Sequence, residues 1–285
     1  MTMSKIESLI ALTRWKEYYG KVIFITLLGT FLVQALPFWR IIFLLSANLL
    51  SGAFTFMIND VEDAEDDALD AKKQKRNPIS AKRISKRTAQ VTTFTVGFMS
   101  LIFYSFFDLR VFIYGSLGLL LGFLYSYKRI RLKSKPVVDL TSHGIFLALV
   151  YFLTAISLGD TLPSFYHILW LGIPIYFLSV LGDISNEIRD YTVDRKAGLR
   201  NTASFINLQH FQHLLTYGGF MLIASVFVYM IVYTSMTTKA LVGAGAIVIA
   251  VHYYLKWYRQ KKAISSYPYA QEVLTFAGIL LFLNP

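Results

Sequence analysis

Nine uncharged apolar runs divide the 285-residue chain, eight of them long enough to cross, or nearly cross, the hydrocarbon of a bilayer and the last shortened by Glu272. They cover Val22–Trp39, Ile41–Ile58, Val91–Phe107, Val111–Tyr127, Leu140–Gly159, Thr161–Gly182, Asn201–Thr238, Ala240–Leu255 and Val273–Leu283. No run reads as a strand, and with 55% hydrophobic residues and a mean hydropathy of +0.51 an ordinary soluble domain is excluded. The pattern predicts an all-α integral membrane protein, a bundle of about nine transmembrane helices forming one membrane-embedded domain over residues 1–285. Pro37 marks the first hairpin, and Pro174 is expected to kink the sixth helix.

The first twenty residues mix Lys5, Glu7, Arg14, Lys16 and Glu17 with Ile6, Leu9, Ile10 and Trp15, which suits an amphipathic helix on the membrane surface. No small-residue cleavage site follows a short apolar stretch, so this is not expected to be a signal peptide. With no cysteine, neither disulfides nor thiolate chemistry are available.

A net charge of +11 raises the question of nucleic acid, but 25 of the 28 Lys and Arg fall in alternate loops, as membrane topology demands. Only Arg40, Arg110 and Lys239 fall on the other side. The partner is therefore the lipid bilayer and not nucleic acid. The N-terminus and the loops after the second, fourth, sixth and eighth helices are expected in the cytoplasm of a cell bounded by an inner or plasma membrane.

Two of these loops are acidic. Extending the second helix past Ile58 at about 100° per residue brings Asn59, Asp60, Asp63 and Asp67 within an arc of roughly 100°. Extending the sixth helix past Leu181 places Asp183, Glu187, Asp190 and Asp194 within about 60°, with Asn186 at the edge. Like charges on one helix face repel. A single such segment could be a solvated loop balancing basic neighbours. Two of them, at helix ends on the same predicted side and in the same phase, point to a shared cation. Oxygen ligands without His or Cys select a hard ion, and Mg²⁺ takes one or two carboxylates and keeps its other positions for water and phosphate.

"NDVEDAEDD" (Asn59–Asp67) fits the NDxxDxxxD motif of the UbiA superfamily of intramembrane prenyltransferases, and "NEIRDYTVDRKAGLRNT" (Asn186–Thr202) resembles the family's second aspartate motif. "YSYKRIRLKSKPVVDL" (Tyr125–Leu140) is similar to the Tyr- and Lys-bearing segment between them. Where many members have Arg-Pro after the first motif, this chain has Asn77-Pro78, which passes phosphate contact to Arg76 or Lys75. The resemblance implies Mg²⁺-dependent transfer of a polyprenyl group from a prenyl diphosphate to a hydrophobic or aromatic acceptor. The acceptor is expected to be a precursor in quinone biosynthesis.

The same resemblance implies the site. Asp60, Asp63 and Asp67 on one side and Asp190 and Asp194 on the other, with Asp183 upstream, would hold the metal. Asn59, Arg76, Lys128, Arg129, Arg195 and Lys196 would contact the diphosphate. Tyr125 falls at the family's Tyr position and, with Phe54, Phe56 and Tyr127, could stabilise an allylic cation. Asp139 and His143, one turn apart, could take a proton from the acceptor or cap the fifth helix, with capping favoured for Asp139. The alternatives are prenylation of a carotenoid or lipid alcohol, phosphoribosyl transfer to a polyprenyl phosphate, and, outside enzymes, divalent-cation transport. Intact Asp190 and Asp194 weigh against the phosphoribosyl branch. Acids gathered at helix ends, with little beyond Gln34 and Asn48 inside the helices, weigh against transport.

Overall fold

The computed structural model describes residues 4–33, 36–196, 198–206 and 208–233, and these contain helices and no strand. The eighth and ninth expected helices and the end of the seventh lie outside the described residues. Among the described residues, four helical stretches are long and apolar enough to cross a membrane: Phe38–Glu62, Leu109–Ser126, Val138–Ile156 and Phe165–Thr192.

Helix α1 (Lys5–Leu12) opens with a capping box in which the Ser4 hydroxyl accepts from the Glu7 amide and the Glu7 carboxylate accepts from the Ser4 amide. Ile6 and Ile10 stay exposed on its outer face while Leu12 is fully buried, as a surface helix requires. A 3₁₀ turn (Trp15–Glu17) leads into α2 (Tyr19–Phe31), shorter than the apolar run expected there. Pro37 then precedes α3 (Phe38–Glu62).

Here the expectation of one continuous helix running through the acids fails. Helix α3 stops at Glu62, Asp63 caps it, and a separate turn, α4 (Ala64–Asp67), follows. The Asp70 carboxylate, accepting from the Lys72 and Lys73 amides, starts α5 (Ala71–Arg76). Ser85 and Asp108 cap α6 (Lys86–Ser105) and α7 (Leu109–Ser126) in the same way. The next span is interrupted: α8 (Val138–Gly144), a π segment (Ile145–Leu149) and α9 (Val150–Ile156). Helix α10 (Phe165–Lys196) continues through Pro174, so its acidic end is one unbroken helix. The short α11 (Thr202–Phe205) and α12 (Leu208–Tyr233) complete the described fold.

Helix α3 lies at the centre, packed against α2, α6 and α7, while α10 packs against α8 and α12. Close approach is bought by small residues: a Cβ on Gly29 would stand 2.5 Å from the Ala155 Cβ and 3.1 Å from the Phe152 carbonyl oxygen, so α2 and α9 touch backbone to backbone. Inside the bundle, fully buried Asn48 donates to Thr26 Oγ1 (2.8 Å) and accepts from the Tyr104 hydroxyl (2.7 Å). This satisfied knot ties α2, α3 and α6 where lipid would offer no partner.

Candidate functional site

A cavity of about 450 Å³ opens where the acidic ends of α3 and α10 pass out of the apolar bundle. Its walls come from the start of α2, the α3–α5 segment, the loop after α7, the π segment and α10.

On the α3 side, Asn59, Asp63 and Asp67 line the cavity, and so does Asp66. Asp60 does not. It is fully buried and its carboxylate faces Arg14 Nη1 at 3.2 Å. The Asn77 side chain donates to Asp67 Oδ2 (2.9 Å) and to the Asp60 carbonyl (2.8 Å), which folds α4 and α5 back onto α3. Thus the residue standing where arginine is common serves as a tie, and Arg76, 3.7 Å from Asp67 Oδ2, reaches the cavity instead.

The basic loop contributes other residues than those the motif suggested. Lys128 pairs with exposed Glu65 at 2.8 Å and Arg129 is exposed; neither lines the cavity. Arg131 and Lys133 do. Arg131 Nη2 meets Asp63 Oδ1 (3.2 Å) and Asp66 Oδ2 (2.7 Å), while Lys133 Nζ contacts Asp63 and stands 2.8 Å from Asn59 Oδ1. Arg131 adopts a left-handed backbone (φ 45°), a strained choice for a side-chain-bearing residue that redirects the loop toward the acids. Burial opposes charge on Asp63, but Lys133 and Arg131 outweigh it and hold the carboxyl below its ordinary value of 3.8.

Across the cavity, Asp183, Asn186, Glu187, Asp190 and Asp194 line one face of α10, as the unbroken helical phase demands. Arg189 is mostly exposed and holds Asp190 Oδ1 at 3.0 Å. Arg195 is exposed and reaches the Tyr191 hydroxyl rather than the cavity. The Lys196 side chain lies outside the described residues. Lys73 of α5, which sequence reasoning missed, bridges the two acidic walls with its Nζ 2.8 Å from Asp194 Oδ1.

The inner end is aromatic. The Tyr125 hydroxyl donates to Asp183 Oδ2 (3.2 Å), and the Tyr125 and Phe146 rings lie 5.1 Å apart. His143 places Nδ1 3.1 Å from Ser179 Oγ and Nε2 3.8 Å from Asp183 Oδ1. Phe56 lines the same space, with Arg14 4.8 Å above its ring and Tyr18 stacked on it. Phe54 and Tyr127 pack elsewhere, against Gly97 and Phe123. Asp139 accepts from the Thr202 amide and hydroxyl and from the Leu140 amide in the first turn of α8, so it ties the start of α11 to α8 while taking up an amide at the start of its own helix. Glu187 accepts from the neighbouring Ala203 amide at 2.8 Å. Arg14, contributed by the N-terminal segment in a left-handed conformation (φ 49°), was also beyond sequence reasoning; only its sign and its place before an apolar run hinted at it.

Acids at helix C-termini sit at the negative end of the dipole, the opposite of what stability favours. Among the described residues no three carboxylate or imidazole groups converge into a ready-made metal cage. That suits Mg²⁺, which needs only one or two carboxylates when phosphate completes its shell. The oxygen-only donors on the two walls fit that ion.

The model of the UbiA prenyltransferase family matches residues 22–278. The chain belongs to that family. It is accordingly a prenyl-transferring enzyme of the membrane-embedded kind. Three solved structures show the same fold. A UbiA homologue from Archaeoglobus fulgidus bound to GPP and Mg²⁺ is 18% identical, with a TM-score of 0.71 over 97% of this chain and 98% of that one. A UbiA homologue from Aeropyrum pernix K1 in its apo form is 16% identical, with a TM-score of 0.69 over 99% and 98%. A structure described as a digeranylgeranylglyceryl phosphate synthase in membranes is 13% identical, with a TM-score of 0.65 over 99% of each chain. No curated protein sequence matches the chain.

Proposed function

We propose that this family member transfers a polyprenyl group from a prenyl diphosphate to an electron-rich aromatic acceptor of the quinone-precursor type, with Mg²⁺ as cofactor and the site at the cytoplasmic face. One observation carries the reading: two carboxylate walls, Asp63 and Asp67 against Asp190 and Asp194, face each other across one cavity whose inner end is aromatic. The A. fulgidus homologue bound to GPP and Mg²⁺ supports it.

Asp63 and Asp67 would hold one Mg²⁺ and Asp190 and Asp194 another, with Asp183 free to serve the inner end. Bound there, the ions supply the positive charge that makes pyrophosphate a leaving group. Arg76, Arg131, Lys133 and Lys73 reach the cavity and can take the remaining diphosphate oxygens. Val22, Phe56, Phe146 and Leu147 line the cavity and keep water from the allylic cation, and the Tyr125 and Phe146 ring faces stabilise it. After the ring attacks, the surplus proton needs only a weak base, and His143 Nε2 beside Asp183 offers one.

A lipid alcohol or carotenoid is the second reading. Arg189, which with Arg200 is a candidate to hold an acceptor carboxylate, pairs with Asp190, which favours an acceptor without an acid group. Incubation with geranylgeranyl diphosphate and, separately, hydroxybenzoate, dihydroxynaphthoate, lycopene and a glycerophosphate lipid, read by product mass, tests both. Turnover of only the last two rejects the aromatic acceptor, and no turnover of any rejects this set of acceptors.

A further inference from the structure

The acids of this site are already engaged, by the protein's own cations. Arg131 and Lys133 converge on Asp63, and Lys73 Nζ stands 2.8 Å from Asp194 Oδ1. Those two acids are on opposite walls, and both are among the carboxylates that would ligate metal. Among the described residues, eight carboxylates and seven cationic side chains line the cavity, a formal balance of −1.

That balance couples the entry of the two ligands. A prenyl diphosphate carries a charge of about −3 and a pair of Mg²⁺ ions about +4. Metal alone would drive the cavity strongly positive and must also displace a lysine or arginine from each carboxylate. Diphosphate alone would drive it strongly negative. Together they leave it close to neutral. Lys73 and Arg131 end in flexible stems and their charged groups lie at the cavity wall, so each can leave a carboxylate for a phosphate oxygen without backbone motion.

We propose that Lys73 and Arg131 are exchange cations: they rest on Asp194 and Asp63 in the empty site and move onto the diphosphate when it arrives, freeing those carboxylates for Mg²⁺. Metal and diphosphate then bind with strong mutual coupling, and neither binds well alone. By linkage, each ligand raises the affinity of the other by the same factor. The inference rests on the prenyl diphosphate reading and adds to it an account of how a nearly charge-balanced site is loaded.

Equilibrium binding to the full chain in nanodiscs tests this, with Mn²⁺ followed by the loss of its free-ion paramagnetic resonance and radiolabelled geranyl thiolodiphosphate as a non-ionising donor. Metal–analogue association in protein-free buffer is subtracted. In the wild type each ligand should tighten the other by at least about tenfold, within the usual range of coupling. Lys73→Met and Arg131→Met should bind Mn²⁺ alone at least about fivefold more tightly, because a carboxylate is released, and bind the analogue in saturating Mn²⁺ more weakly, because a phosphate partner is gone. These opposite shifts separate exchange from a structural role, which would weaken both. Tighter Mn²⁺ with unchanged analogue affinity would overturn the exchange, as would independent binding of the two ligands to the wild type, which needs no variant. Failure of the wild type to bind the analogue in any combination would instead reject the prenyl diphosphate reading.

Discussion

Lys133 shows what a single side chain does here that its position in a motif does not reveal. It is nearly buried, contacts Asp63, and stands 2.8 Å from Asn59 Oδ1, whereas Arg129 points to solvent four residues earlier. Lys133→Met should therefore lower turnover by about 10²-fold, the scale for losing one buried charged donor at a reacting oxyanion, while Arg129→Met leaves it within about twofold. Steady-state rates with geranylgeranyl diphosphate check both. Asp63 makes a second residue-scale prediction, on stability in metal-free buffer. Its carboxyl is depressed below 3.8 in the folded state, burial being outweighed by Lys133 and Arg131, so its stabilising effect is present above the unfolded value and is lost as pH falls through the folded one. The difference in melting temperature between wild type and Asp63→Asn should be constant from about pH 7 to about pH 5 and close below the ordinary value. A gap that widens on acidification would mean the carboxyl is raised.

At the scale of elements, the first acidic motif is held by a break and not by a continuous helix. Continuing the helical phase from Ile58 puts Asp60 and Asp67 on one face, yet α3 ends at Glu62 and Asn77 pulls the following turn back against it. Nothing in local propensity announces that arrangement; the turn after the break is held by a hydrogen bond between residues ten positions apart. Asn77→Ala leaves Asp67 and a buried carbonyl without that donor and should cost about 1–3 kcal/mol, read as a fall in melting temperature. By contrast, α10 keeps its phase to Lys196, so the second motif lines the cavity as its spacing requires. Helix contact is more readily disturbed: Gly29→Leu forces a side chain against the Ala155 Cβ and the Phe152 carbonyl and should cost about 1–3 kcal/mol or more through overpacking. A melting temperature unchanged by that substitution would mean α2 and α9 can separate freely.

The whole molecule joins a lipid-soluble scaffold to a charged site, and its orientation is the prediction that belongs to this scale. Because the native chain has no cysteine, single cysteines at Lys75 and at Asp160 report unambiguously. The first should react with an impermeant maleimide only after the membrane is opened and the second in intact cells; the reverse pattern would invert the topology drawn from Lys and Arg. The sequence by itself determined the helical membrane class, since backbone groups in lipid must be paired within helices, and it determined which two segments carry the acids. It also determined the phase of Asp183, Glu187, Asp190 and Asp194, because one unbroken helix has a fixed period. Only the tertiary structure decided that Asp60 turns to Arg14, that Arg131 and Lys133 rather than Lys128 and Arg129 enter the cavity, and that Lys73 spans its two walls. The physical reason is the same in each case: loop direction, helix termination and ion pairing between distant segments depend on what stands opposite, and a one-dimensional pattern records only what stands alongside.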